Sequence, residues 1–325
     1  MDSFSLIESV IKGKLDTESR LPFSFWRHFP QIDRDPIKNA KAHIDFQKKY
    51  KCDFIKYSAH GRFPVVDFGC KVGDETDSIT GSTRCQQHAV NSLEDWENID
   101  EVDVLDGEYG RCLKTTKILG QKFHQDVPIF LTIFLPLMVA DKLSNNFKQQ
   151  LLEDKQLVQD KLSVITKVVN EFCKAGLDEG ADGLFLATQQ ASNDFWTKED
   201  FGLFKKFDEK ILKNFENKNI FKILHLHGNG VFFDWAVQQP VSFINWHSTE
   251  TEPKMKDALS NRAHMNGLDK KIFVDYNSAQ IVSYLDEFIN NLEENRKKSL
   301  ISPGCVIPLN YKEENLQFLS NYFVK

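Results

Sequence analysis

Apolar residues along this chain fall in short, nearly unbroken runs separated by longer amphipathic stretches. The runs PFSFW (22–26), CDFIKYS (52–58), VPIFLTI (127–133), DGLFLAT (182–188), IFKILHL (220–226), VSFINW (241–246), KIFVD (271–275) and LISPGC (300–305) read as eight strands. Several are apolar on consecutive positions, as strands covered on both faces require. Between them, apolar residues recur at helical spacing. DPIKNAKAHIDFQKKY opens with an Asp cap and Pro in the first turn. KQLVQDKLSVITKVVNEFCKAG, TKEDFGLFKKFDEKILKNF, SAQIVSYLDEFINNLEENRKK and KEENLQFLSNYF continue the pattern. Strands alternating with helices predict an α/β fold, a (β/α)8 TIM barrel forming one domain over residues 1–325. No GxGxxG follows the early strands, which argues against a dinucleotide-binding sheet. Residues 65–118 are polar, turn-rich and too long for a simple connection, so they predict a hairpin excursion over the barrel mouth.

Composition narrows the class. The chain has 325 residues, 27% charged and 41% hydrophobic, with net charge −6, so it lacks the broad basic footprint of a nucleic-acid binder. The longest apolar run, VPIFLTIFLPLMVA, is short and holds two prolines and a threonine, so no membrane span is expected. The opening segment MDSFSLIESVIKGKL has an early acid and no long apolar core, unlike a secretory leader. The six cysteines form no close pair, which predicts reduced thiols and a cytoplasmic protein. The 27 phenylalanines predict a large aromatic core or an apolar pocket.

The chemistry concentrates in FKILHLHGNG. Strand side chains alternate faces, so His225 and His227 point the same way, roughly 7 Å apart at Cα. In a parallel barrel the carboxyl ends of the strands form the active face. His247, after FINW, and Cys305, at the end of the last run, belong to the same rim. Zinc accepts imidazole nitrogen and thiolate sulfur, so His225, His227 and Cys305 make a candidate three-ligand site. His247, Glu250 or Glu252 are candidates for a fourth position. Lys56, Ser58 and His60 share one strand face, and Gln189 and Gln190 follow another strand, as candidate pocket residues. The alternative is that the histidines are polar residues satisfied by hydrogen bonds.

The stretches IFLTIFLPLMVADKL, GADGLFLATQ, ILHLHGN and SPGCVIPLNYKEENLQFL, in this order, resemble the uroporphyrinogen decarboxylase superfamily. The resemblance implies a (β/α)8 barrel and one of two chemistries. One is cofactor-free decarboxylation of uroporphyrinogen in porphyrin biosynthesis. The other is zinc-dependent methyl transfer from a corrinoid protein to a thiol. Against the decarboxylase motif RQAGRY, Arg27 of WRHFPQ falls on the first arginine, but Gln31 falls on the second. His60 falls at or beside the slot of an aspartate that serves the pyrrole nitrogens. The methyltransferases carry HxCG where this chain has HLHG, and a second cysteine that Cys305 matches. His227 thus stands in place of a thiolate.

The resulting expectation is zinc-dependent methyl transfer to a thiol or small nucleophile, with Zn2+ on His225, His227 and Cys305. Arg27 and His60 are the expected catalytic positions, and His28, Lys56 and Gln189 the expected substrate contacts. The resemblance adds a corrinoid protein as methyl donor and a homodimer. The alternatives are uroporphyrinogen-type decarboxylation and a non-catalytic barrel that binds a small molecule or corrinoid.

Overall fold

A computed structural model describes residues 1–216, 219–258 and 261–324. Its strands are β1 (Ile55–Tyr57), β2 (Lys71–Thr76), β3 (Thr83–Gln87), β4 (Ile129–Phe134), β5 (Gly183–Thr188), β6 (Phe221–Leu226), β7 (Phe243–Trp246), β8 (Ala263–Leu268) and β9 (Ser299–Pro303). Seven of them form one curled parallel sheet in the order β1-β4-β5-β6-β7-β8-β9. Their side chains are buried almost throughout, which explains the continuous apolar runs.

The two edges of this sheet share one neighbour. Phe23 bridges Ile301 of β9 in parallel fashion. The Ser24 amide donates to Ile301 O at 3.0 Å, and the Ile301 amide donates to Pro22 O at 2.8 Å. On the other side, the Asp53 amide donates to Phe23 O at 2.8 Å and Ser24 Oγ to Phe54 O at 2.8 Å. The predicted strand at 22–26 is therefore present as a single bridge rather than a full strand. Pro22 has no amide to donate, so it contributes only its carbonyl. Asp53 pins this seam: its carboxylate accepts both Arg20 guanidinium nitrogens at 2.6 and 2.7 Å and the Phe23 amide at 2.9 Å.

Helices cover the outer face where their caps predict. Asp35 accepts the Ile37 and Lys38 amides and starts Pro36–Tyr50. Asn277 and Gln280 form a reciprocal capping box on Ser278–Asn290. Two further expectations need correction. KIFVD (271–275) is not a strand: Lys271–Val274 is one helical turn, with Ile272 and Phe273 buried. The strand of that region is β8, AHMNGL, whose His264, Asn266 and Gly267 hide a fully buried segment behind a polar composition. The excursion ends earlier than residue 118. It holds the antiparallel hairpin β2–β3, but Gly107–Phe123 is a helix. Asp106 caps the Gly107 amide and Asp67 takes the amides of Glu108 and Tyr109. Its three glycines weaken the helical signal, whereas Tyr109, Cys112, Leu113, Thr116 and Leu119 supply a buried stripe.

Phenylalanines fill the inside of the curl. Phe54 packs on Phe130 at 4.9 Å between ring centres, and Trp26 meets Phe54 and Phe185 at 6.1 and 5.7 Å. All six cysteines are free. No helix among the described residues is long and apolar enough to cross a membrane.

The seam makes a testable demand. Asp53 is 1% exposed, so removing its partner strands a buried carboxylate. Arg20→Met is expected to lower unfolding free energy by about 3 kcal/mol. Lys41→Met, which breaks the exposed Lys41–Asp45 pair, is expected to leave stability nearly unchanged. Denaturant midpoints at fixed pH check this, and equal midpoints for the two variants would contradict it.

Candidate metal centre

Period-two alternation sends His225 to the inside of β6, and its ring packs tilted against Phe185 on the neighbouring strand, 5.4 Å between centres. His227 is the second residue beyond, just past the strand end, with its amide tied to Thr188 O at 3.0 Å. His247 follows β7 directly, and Cys305 lies two residues beyond β9. Gly304 allows the last approach. A Cβ there would stand 3.0 Å from His247 Cα and 3.2 Å from Trp246 O, so a larger residue would push Cys305 off the end of β7.

One potential ligand atom from each of His225, His227, His247 and Cys305 lies within 4.8 Å of the other three. A tetrahedral zinc holds nitrogen and sulfur donors about 3.5 Å apart, so these side chains need to draw together by roughly 1 Å. The ring centres of His227 and His247 are 4.9 Å apart, and His227 Nδ1 is 3.8 Å from Cys305 Sγ. His225 is oriented from behind: Nδ1 is 2.6 Å from Asn245 Oδ1. Asn245 Nδ2 donates to Met265 O at 2.7 Å, which leaves Oδ1 as the acceptor and assigns the proton to His225 Nδ1. Nε2 then carries the lone pair, the arrangement that a ligating histidine uses.

The electrostatics agree. Burial works against a Cys305 thiolate, but the polar contacts with His225, His227 and His247 outweigh it and hold the thiol well below its usual range. Burial opposes a charged His247 too, yet its contacts with Cys305 and Glu250 raise it above the ordinary histidine value. His225 is lowered, chiefly by burial. The donor set, three imidazoles and one thiolate in a partly dry site, suits zinc chemistry.

Beside the cluster lies a chamber of about 250 Å³, whose walls include Trp26, Phe63, Phe134 and Phe185. His28, Lys56 and Gln189 line it with His225, His227 and Cys305. Arg27 and His60 do not line it. The Arg27 guanidinium lies over Phe29 and Tyr311, and its Nε donates to the His28 carbonyl at 3.0 Å. His60 is 1% exposed behind the wall and is paired at 3.3 Å with Glu108, which also binds Arg111. Glu250 stands outside the four-residue cluster, 2.9 Å from Lys270 and 3.7 Å from His247 Nδ1. Glu252 is exposed and bound to the Lys254 amide. His247 is thus the fourth member. The sequence reading passed over Asn245, although a polar residue on the same strand face as His247 was its signal. It also passed over Lys142, on the helix Pro136–Leu143, which lines the chamber.

A curled parallel sheet with its polar groups gathered beyond the carboxyl ends of β6, β7 and β9 defines an α/β protein whose site sits on the strand-end rim. The chain belongs to the uroporphyrinogen decarboxylase (URO-D) family, whose pattern matches residues 17–324. Among curated proteins it is similar to the methylcobamide:CoM methyltransferase MtbA of Methanosarcina acetivorans, 23% identical over 255 residues, 77% of this chain and 73% of that protein. The corresponding protein of Methanosarcina mazei is 23% identical over 164 residues, 50% of this chain and 48% of its own length. A solved methyltransferase from Methanosarcina mazei superposes over the whole of both chains with TM-score 0.81 at 17% identity. A putative vitamin-B12 independent methionine synthase from Listeria monocytogenes superposes with TM-score 0.57 at 13% identity, covering 98% of this chain and 92% of its own. The structural likenesses speak to the fold, and the sequence relatives are methyltransferases.

The cluster predicts an unusually reactive thiol. In metal-free protein, Cys305 is expected to react with iodoacetamide at about pH 6.5 nearly as fast as at pH 8.5, because its thiolate persists below the usual thiol range. Cys52 is pushed up to about 12 by burial, and burial raises Cys112 and Cys173 as well, so these remain unmodified. Peptide mass spectrometry reads each site. A Cys305 rate falling about tenfold per pH unit below 8.5 would contradict the assignment.

Proposed function

We propose that this chain is a zinc-dependent methyltransferase that methylates a small thiol, with a corrinoid-bound methyl group as donor. The observation that carries this reading is the convergence of His225, His227, His247 and Cys305 on one point at the chamber edge. Support for the donor comes from the methylcobamide:CoM methyltransferases to which the sequence is similar. The sheet is read as a closed (β/α)8 barrel of one domain, with residues 22–24 as its eighth stave between β9 and β1.

In this reading His225, His227 and Cys305 would hold the metal, with His247 as the candidate fourth ligand. Bound zinc supplies a Lewis acid that makes the sulfur of a thiol anionic at neutral pH. The protein does the rest. Asn245 fixes the His225 tautomer, and the His225 ring is held against Phe185. Trp26, Phe134 and Phe185 keep the acceptor's surroundings dry, which preserves a sulfur nucleophile from hydration. Thr80 and Ser82 of the hairpin turn stand at the chamber wall and leave the donor to approach from the rim. The acceptor sulfur, its proton released to solvent, would take the methyl group as the corrinoid's bond to that carbon breaks and the bonding pair stays with the corrinoid.

Uroporphyrinogen decarboxylation fits less well. Gln31 stands at an expected arginine, His60 is turned toward Glu108, and a chamber of about 250 Å³ lies below the usual range of small-molecule sites, roughly 300–1,000 Å³.

The experiment is elemental analysis of protein purified with zinc and without chelators. About one zinc per chain is expected, and Cys305→Ser is expected to lose most of it. Asn245→Leu is expected to weaken zinc by about 10–100-fold. His247→Ala is expected to cost less than His225→Ala, because Asn245 orients His225 at 2.6 Å whereas Glu250 lies 3.7 Å from His247 Nδ1. Wild-type protein without zinc would overturn the reading.

A further inference from the structure

A second hollow, a cleft of about 310 Å³, lies between the end of β8, the helix Ser278–Asn290 and the segment 248–256. It shares no lining residue with the chamber beside the His–Cys cluster. Its volume falls at the small end of small-molecule sites, roughly 300–1,000 Å³. Close packing builds its apolar surface. Gly267 has φ +114°, and a Cβ there would stand 2.2 Å from Phe288 Cζ, so the Phe288 ring lies directly on the strand backbone. Tyr284 and Phe288, one helical turn apart, hold their rings 8° from parallel with centres 6.2 Å apart. The Tyr284 hydroxyl is spent within the protein: it donates to Gly267 O and accepts the Asp269 amide at 3.1 Å. Buried Met255 and Leu292 line the same cleft. The 248–256 wall is anchored as firmly. Trp246 Nε1 donates to Pro253 O at 2.8 Å, the Gly230 amide to Thr251 Oγ1 at 2.9 Å and Asn295 Nδ2 to Lys256 O at 2.8 Å. A ligand therefore meets walls that are already fixed.

These walls carry opposite charge. Lys254 and Lys256 stand on the 248–256 side, Asp269 and Glu287 on the strand and helix side. Among the described residues no ion pair joins the two sides. Lys254 Nζ has only weak partners, Glu252 at 3.7 Å and the Thr249 carbonyl at 3.4 Å. Asp269 Oδ1 accepts the Lys271 amide at 2.9 Å, which leaves the carboxylate without a cation. A simple anion in this cleft would be repelled by the acids and a simple cation by the lysines, whereas a neutral apolar molecule would leave all four charges as they are. A molecule with both charges on an apolar body satisfies both walls and covers the aromatic floor. We propose that this cleft binds a small apolar α-amino acid, its carboxylate toward Lys254 and Lys256, its ammonium toward Asp269 and Glu287, and its side chain on Phe288, Met255 and Leu292. The site is independent of the methyltransferase reading, because no residue of the chamber or the cluster takes part. Ser248 and Thr249, the two residues after His247, line the cleft, so its occupant touches the chain next to the cluster without touching the cluster.

Calorimetry on the whole chain uses L-leucine as the probe. Its comparisons are 4-methylpentanoate, which lacks the ammonium, 3-methylbutylamine, which lacks the carboxylate, and L-alanine, which lacks most of the apolar side chain. Leucine is expected to bind saturably with Kd at or below about 1 mM, and each of the other three about fivefold or more weakly. Glu287→Lys is expected to remove the preference for leucine over 4-methylpentanoate, an exchange of specificity that a merely structural change does not produce. Lys254→Met with Lys256→Met in one chain is expected to bring leucine down to the level of 3-methylbutylamine. The wild-type ladder stands even if a variant fails to fold. Alkylation of Cys305 with iodoacetamide, followed by peptide mass, is expected to leave the affinity for leucine unchanged. Leucine that does not bind, or binds no more tightly than alanine and the two singly charged analogues, would overturn the site. Binding lost on alkylation of Cys305 would place leucine in the chamber and overturn it equally.

Discussion

Strand register is the constraint on which everything else in this molecule rests. His225 pairs with Asn245 across β6 and β7, and Leu268 pairs with Pro303 across β8 and β9. A slip of one residue in β6 would turn His225 into the outer layer and bring Leu224 or Leu226 to the inside. The same slip in β9 would carry Cys305 past the end of β7, where Gly304 now passes close to His247. Register is in turn held by burial on both faces and by the seam at Phe23 and Ile301. The Arg20–Asp53 pair holds the segment that makes this seam, so an ion pair at the edge of the sheet helps set the spacing of ligands on its rim.

That constraint explains which features were legible in the sequence. Two histidines spaced for one face of a strand, followed by glycine, mark an inward pair at a strand end, and the structure places both beside Cys305. Helix starts were legible because their caps are local: Asp35 with Pro36, and Asn277 with Gln280, act within a few residues. β8 was not, because burial between neighbouring strands lets His264, Asn266 and Gly267 occupy a strand that carries only Met265 and Leu268 as large apolar residues. KIFVD misled for the converse reason. Three apolar residues in a row suit a strand or one buried helical turn equally well, and tertiary packing chose the turn.

Arg27 and His60 mark a different limit. A motif match assigns a place along the chain, but a long side chain then goes where its best partners are. Arg27 finds two aromatic faces and its neighbour's carbonyl. His60 finds a carboxylate on the Gly107–Phe123 helix, an element that the sequence pattern hid. Asn245 and Lys142 were missed because their importance lies in what they face across the fold. Neither contact is encoded by nearby residues.

The charge pattern gives the proposed reading its internal consistency. A thiolate at Cys305 is stable in this buried place only because three imidazoles surround it. Zinc on three neutral imidazoles and one thiolate would leave a net charge of +1 at the rim, and an anionic thiol would neutralise it. Lys56 and Lys142 add further positive charge along the same chamber, whose described wall residues include no carboxylate. The aromatic walls make each of these charges count for more than it would in water.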